Sequence, residues 1–162
     1  MDERVATERS AESVDAESAD AEFADAEFAD AEGSMDTEGS ADDGRSEIHD
    51  HADRTVRAYY EAIDAGEYDR LAELLDPEFV HDRPDRTLDG RDRFVAFMRE
   101  ERPMTDTEHV VKRTYANRSG RAVRGRLLDA AGDELFGYVD VFTLDAGGRT
   151  VTRLETYVSD SD

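Results

Sequence analysis

From residue 48 onward, apolar residues recur at three- and four-residue steps: Ile48, Ala52, Thr55 with Val56, Tyr59 and Ile63. That spacing sets them on one face of an α-helix, and Gly66 stands where a C-terminal cap belongs. Tyr68, Leu71, Ala72, Leu74 and Leu75 predict a second, shorter helix stopped by Pro77. The segment EFVHDRP is too short for a helix and reads as a strand ending at Pro84. A third helix is predicted with Asp89 as its cap, Phe94, Val95, Phe97 and Met98 facing inward, and Pro103 as its stop.

The texture then changes. Residues 107–158 divide into four strand-like runs, TEHVVKRTYAN, RAVRGRLLD, ELFGYVDVFTL and RTVTRLETYVS. Between them lie NRSG, DAAGD and DAGG, Gly-containing turns of hairpin length. Four consecutive antiparallel strands form a meander that needs one face covered, and three preceding helices can cover it. The predicted class is α+β, a curved antiparallel sheet wrapped by three N-terminal helices. Alternation in the third run puts Phe136, Tyr138, Asp140, Phe142 and Leu144 on one face. Leu135, Gly137, Val139, Val141 and Thr143 form the other, also mostly apolar, so the strand is central or covered on both sides.

Upstream, the pattern fails. Residues 1–46 contain no Leu or Ile, only Val5 and Val14, and hold sixteen acidic against three basic residues. Such a segment cannot bury enough apolar area to offset its chain entropy. The prediction is a disordered acidic tail over 1–46 and a folded domain over 47–162. Within the tail, residues 15–34 read DAESA-DAEFA-DAEFA-DAEGS. Five residues turn an ideal helix by about 500°, which leaves Phe23 and Phe28 roughly 140° apart and without a shared stripe. Composition favours a solvating low-complexity extension; the alternative is a short linear motif whose Phe23 and Phe28 engage a partner groove. Met35 is an alternative start.

Charge narrows the partners. The 162 residues carry 42 acidic and 20 basic side chains, a formal charge of −22. Nucleic-acid backbones and anionic membrane surfaces are poor partners for such a chain. Nineteen of the twenty basic residues are Arg and Lys112 is the only Lys, the balance by which proteins of salt-accumulating halophiles stay hydrated. Most surface carboxylates are therefore read as solvent adaptation. The absence of cysteine excludes disulfides, thiolate zinc sites and cysteine nucleophiles. No run has the ~20 apolar residues of a membrane helix, and the acidic N-terminus lacks a secretory pattern, which predicts a cytoplasmic protein.

A long helix ending in AG, a short acidic helix, a strand bearing HDRP, LDGRDRF opening a helix, then a four-strand meander form a recognisable order. It resembles the nuclear transport factor 2-like superfamily, in particular its SnoaL-like and ketosteroid-isomerase-like branches. The resemblance covers about residues 47–158 and is best carried by RAYYEAIDAGEYDRLAELL, LDGRDRFVAFM and YVDVFTLDAGGRTVTRLETYV. It implies a cone in which helices close a bent sheet over a deep apolar pocket, and a homodimer formed through the open sheet face. The fold hosts isomerases, cyclases, dehydratases, hydrolases and binding modules, so function rests on the site.

Three polar residues stand in apolar surroundings: Tyr59 on the stripe of the first helix, Asp82 beside Val80 on the first strand, and Asp140 in its aromatic row. Desolvation should raise the pKa of Asp140. In ketosteroid isomerases a Tyr on this helix and an Asp on this late strand bind the oxyanion, and an Asp on the first strand shuttles the proton. The resemblance thus implies Tyr59 and Asp140 as oxyanion donors and Asp82 as base, although the family runs Asp-Pro where this chain runs Asp82-Arg83-Pro84. If the alignment shifts by one, His81 is the base instead. The expected pocket holds a small organic ligand and is lined by Phe79, Val80, Phe94, Phe97, Tyr138 and Phe142. The alternative is a noncatalytic binding module, with Tyr59 and Asp140 bonded to each other or to water. His49, His51, His81 and His109 show no ligand spacing, so neither metal nor cofactor is expected. Arg83, Arg86, Arg91 and Arg93 are either a landing patch for an acidic substrate or, more commonly, partners of nearby Asp residues.

Overall fold

The computed structural model describes residues 41–159, and the repeat, Phe23, Phe28 and Met35 lie outside them. Helix α1 spans Ala41–Asp64, so it begins a full turn or more before the predicted stripe. Residues 43–48 on it are exposed, and burial starts in earnest at Ala52. From there Val56, Tyr59, Tyr60, Ala62 and Ile63 all enter the core. Helix α2 is Tyr68–Glu73 and strand β1 is Leu75–Asp82. Pro77 therefore sits inside a strand rather than ending a helix. It falls in the interval between Leu75 and Val80 where the register with the neighbouring strand shifts, a place where a missing N–H breaks no ladder.

Asp89 does not cap a helix. It ends a short strand β2, Thr87–Asp89, in which buried Leu88 alternates with exposed neighbours. The Arg83 N–H donates to the Arg86 carbonyl at 2.9 Å, closing the turn from β1 to β2. Gly90, at φ 95°, then precedes helix α3, Arg91–Ala96, which widens into a π turn over Phe97–Glu101. Strands β3 (Thr107–Ala116), β4 (Gly120–Asp129), β5 (Glu134–Leu144) and β6 (Val151–Ser159) form the predicted meander. The six strands make one curved, unclosed sheet in the order β2-β1-β6-β5-β4-β3. All neighbours are antiparallel except β1 and β6, which run parallel.

The helices cover one face of this sheet. Phe79, Phe94, Phe142, Leu71, Leu88, Leu154, Val123 and Val151 are the large side chains wholly withdrawn from solvent. The β5–β6 hairpin touches α1 closely: Thr55 Oγ1 donates to the Gly148 carbonyl at 2.8 Å. A Cβ on Gly148 would stand 2.7 Å from the Ile48 carbonyl oxygen, and its φ is +68°. Gly148→Ala is therefore expected to destabilise the fold by about 1–3 kcal/mol through overpacking and strain. Urea unfolding measures this; an unchanged midpoint would contradict the close packing of hairpin and helix. Among the described residues, no helix is long and apolar enough to cross a membrane.

Candidate functional site

Between α1, α3 and the inner sheet face lies a cavity of about 200 Å³. At about 30 Å³ per water in the liquid, that is the volume of roughly seven waters, room for a small organic molecule. Tyr59 comes from α1, Phe94 and Met98 from α3 and the π turn, and His81 from β1. His109, Leu127, Tyr138, Asp140, Leu154 and Thr156 complete the sheet side, while Arg83 and Arg102 also line it.

Strand parity decides which neighbours enter. On β1, Phe79 and His81 face the core, while Val80 and Asp82 face the other way. The carboxylate of Asp82 accepts a hydrogen bond from Thr87 Oγ1 at 2.8 Å and is paired with Arg153. The structure does not bring Asp82 to the cavity. Val80 is likewise absent from its lining. Phe79 and Phe142 lie behind the wall, Phe79 edge-on to Phe94 and Phe142 edge-on to Tyr59. Phe97 is outside it too, flanked by the guanidiniums of Arg83 and Arg86 at 5.2 and 5.1 Å from its ring centre. Of the expected pocket residues, Phe94 and Tyr138 line the cavity together with Tyr59 and Asp140.

Asp140 is 5% exposed in its aromatic row. Burial pushes its carboxyl pKa up, and hydrogen bonds from Thr156 and Tyr60 offset part of that rise. Thr156 Oγ1 lies 2.6 Å from Oδ1, and Tyr60 Oη donates to Oδ2 at 2.8 Å. The phenol on Asp140 is thus Tyr60, one residue beyond the expected Tyr59. Tyr59 stacks on Phe94 and makes no side-chain hydrogen bond among the described residues. Burial raises the Tyr59 phenol well above its usual value, so it remains a proton-bearing donor.

The β6 residue opposite Asp140 is Thr156, and this pairing extends the network to His81. His81 Nε2 lies 2.8 Å from Thr156 Oγ1, while the buried Nδ1 has no partner among the described residues. Burial, aided by the Arg83 guanidinium, lowers the His81 pKa to about 3. A histidine depressed in the folded state binds its proton better in the unfolded chain. Its contribution to stability is therefore full above about pH 6.5 and is lost as pH falls toward about 3, a change of order 4–5 kcal/mol. The stability advantage of the wild type over His81→Gln should accordingly shrink as pH drops from 7 to 4. A pH-independent difference in urea unfolding would contradict this.

A second pair closes the far side. Asp64, the last residue of α1, accepts from the His109 backbone N–H at 3.0 Å and lies 2.5 Å from its Nδ1. Tyr138 reaches over Gly125, where a Cβ would stand 2.4 Å from the phenol. Sequence reasoning singled out neither Thr156, Tyr60, Asp64 nor Arg102. Thr156 becomes visible only once the β5–β6 register is known. The arginines of the candidate landing patch are all paired, Arg83 and Arg86 with Asp85, Arg91 with Asp92, and Arg93 with Glu101. Among the described residues, no group of three or more His, Asp or Glu could hold a metal ion.

A helix-capped, open, curved sheet around an interior cavity defines the nuclear transport factor 2-like class. The chain belongs to the SnoaL-like domain family, which matches residues 56–153. It is similar in structure to a Kribbella flavida protein provisionally named a ketosteroid isomerase, with TM-score 0.61 and 22% identity over 70% of this chain and 81% of that one. An LEH-like epoxide hydrolase of M. tuberculosis superposes with TM-score 0.58 and 19% identity, covering 68% and 84%. A Sinorhizobium meliloti protein provisionally named a polyketide cyclase gives 0.56 and 17%, covering 64% and 94%. At these identities the likeness concerns the fold. No curated protein matches the chain significantly.

Proposed function

We propose that the protein transfers a proton at a carbon next to a carbonyl in a small organic molecule held in this cavity. One observation carries the reading: an unbroken chain from the cavity residue His81 through Thr156 to the buried Asp140, at 2.8 and 2.6 Å. His81 alone is a poor base, because burial disfavours the imidazolium. The relay removes that difficulty. The substrate C–H proton passes to Nδ1, the Nε2 proton moves to Thr156 Oγ1, and the Thr156 hydroxyl proton moves to Asp140 Oδ1. The electron pair of the C–H bond stays with the substrate as an enolate. The imidazole ends neutral, and the proton rests on a carboxyl whose burial favours the protonated form. Reversal returns a proton to the same or another carbon.

Within this reading Tyr59 donates to the enolate oxygen, as its place in the wall suggests. Asp140 has both oxygens engaged by Tyr60 and Thr156, so it serves as the proton's terminus rather than as an oxyanion donor. Asp82, bound to Thr87 and Arg153, gives up the role of base to His81. The test is deuterium exchange at the α-carbons of cyclohexanone and 3-oxocyclohexanecarboxylate, followed by proton NMR in molar KCl. Exchange above the uncatalysed rate, lost in His81→Gln, supports the reading. Saturable binding of either compound without exchange would instead make the protein a noncatalytic binding module.

The same reading extends to assembly and solvent. Val139 and Tyr157 stand opposite each other on the outer sheet face, 37% and 58% exposed. A second copy of the chain covers that apolar area, and concentrated salt screens the −22 charge that would otherwise oppose it. Light scattering in molar KCl should give a dimer mass, and Tyr157→Asp a monomer; a wild-type monomer would contradict the proposal.

A further inference from the structure

The arginines near the cavity differ in one respect. Arg83, Arg86, Arg91, Arg93 and Arg99 each have a carboxylate partner. Arg102, which lines the cavity, has none among the described residues, in a chain with 42 acidic side chains. Its position is fixed at both ends. Its backbone N–H donates to the Phe97 carbonyl at 2.9 Å, closing the π turn. Its Nη2 donates to Thr107 Oγ1, a residue itself buried. That leaves Nη1, which is closed off from solvent and has no acceptor.

A guanidinium nitrogen withdrawn from water without an acceptor is costly, even on a side chain that is otherwise only partly buried. The missing group is therefore an anionic acceptor arriving from the cavity. We propose that the molecule bound there carries a carboxylate and that Arg102 receives it. Guanidinium and carboxylate match in planar, charge-assisted hydrogen bonds. Arg102, Arg83 and the Tyr59 phenol all line this cavity. Met98, Leu127 and Leu154 supply apolar walls for the rest of the molecule. A cavity of about 200 Å³ suits a small molecule. The occupant is a small organic acid; with the proton relay alongside, a small oxo acid. This inference rests on the cavity being the ligand site and does not depend on the proton-transfer step.

The experiment titrates the full-length protein with benzoate and with benzamide, which share a shape and differ in charge, at fixed ionic strength and pH 7. Benzoate should bind about tenfold or more tightly than benzamide, the margin of a charge-assisted pair. Arg102→Gln should abolish that preference while leaving benzamide affinity within about twofold, which also shows that the variant is folded. Arg102→Lys, which keeps the charge but not the planar fork, should restore part of it. Equal affinity of the wild type for the two probes, or benzoate binding unchanged in Arg102→Gln, would overturn this inference alone. Binding of neither probe would overturn it together with the reading of the cavity as a ligand site.

Discussion

His81→Gln is expected to lower the rate of α-proton exchange about a thousandfold, within the range that one positioned acid–base group contributes. Glutamine keeps a donor toward Thr156 but has no nitrogen that can take a proton. Asp140→Asn interrupts the other end of the relay, since an amide cannot receive the proton delivered by Thr156. Its loss should be comparable, about a hundredfold or more. Both variants should still bind the ligand, so the defect belongs in kcat and not in KM. Asp82→Asn separates this scheme from one in which Asp82 is the base. Its carboxylate faces away from the cavity and is held by Thr87 and Arg153, so turnover should stay within about threefold of the wild type. Loss of turnover in Asp82→Asn with activity retained in His81→Gln would reverse the assignment.

Arg121→Met is expected to give the largest loss of stability away from the cavity. The Arg121 side chain is only 2% exposed and bridges β4 to the first helix. Its Nε bonds Asp53 at 2.5 Å, Nη1 bonds the carbonyls of Asn117 and Gly120, and Nη2 meets the His49 carbonyl at 3.0 Å. Methionine fills much of the volume but leaves those acceptors without a donor. The cost should be about 2–4 kcal/mol, the loss of several charge-assisted hydrogen bonds made by one buried guanidinium. Urea unfolding reads it directly, and a loss below about 0.5 kcal/mol, typical of surface changes, would show that solvent replaces the guanidinium.

The parts of the fold governed by period were legible in the sequence. The stripe from Ala52 to Ile63 and the alternation from Phe136 to Leu144 each report one face of one element; the first emerges as buried, and so does the second from Tyr138 onward, with Phe136 partly buried at its edge. Strand β2 was not legible, because three residues carry too little alternation to stand out from a turn. The start of α1 was hidden for the opposite reason: residues 43–47 are helical but polar and exposed, and so leave no apolar signature. The site divided along the same line. Asp140 and Tyr59 betray themselves as polar groups on apolar faces. Thr156 and His81 become partners only through the β5–β6 and β1–β6 registers, which no local pattern specifies. Arg121 did carry a signal, since it shares parity with Val123 and Gly125, both buried, rather than with exposed Arg124 and Arg126.

The most direct test of the relay is nitrogen-15 NMR of His81 across a pH titration of the wild-type protein. With Asp140 ionised, Thr156 donates to the carboxylate and His81 must hold its proton on Nε2, leaving Nδ1 bare. With Asp140 protonated, the direction reverses, Thr156 donates to Nε2, and the proton sits on Nδ1. The relay therefore predicts that His81 stays neutral while its tautomer switches from Nδ1–H to Nε2–H as pH rises, with a midpoint at the raised pKa of Asp140. The same switch should vanish in Asp140→Asn. An imidazolium between pH 5 and 7, or one unchanging tautomer through the titration, would contradict it.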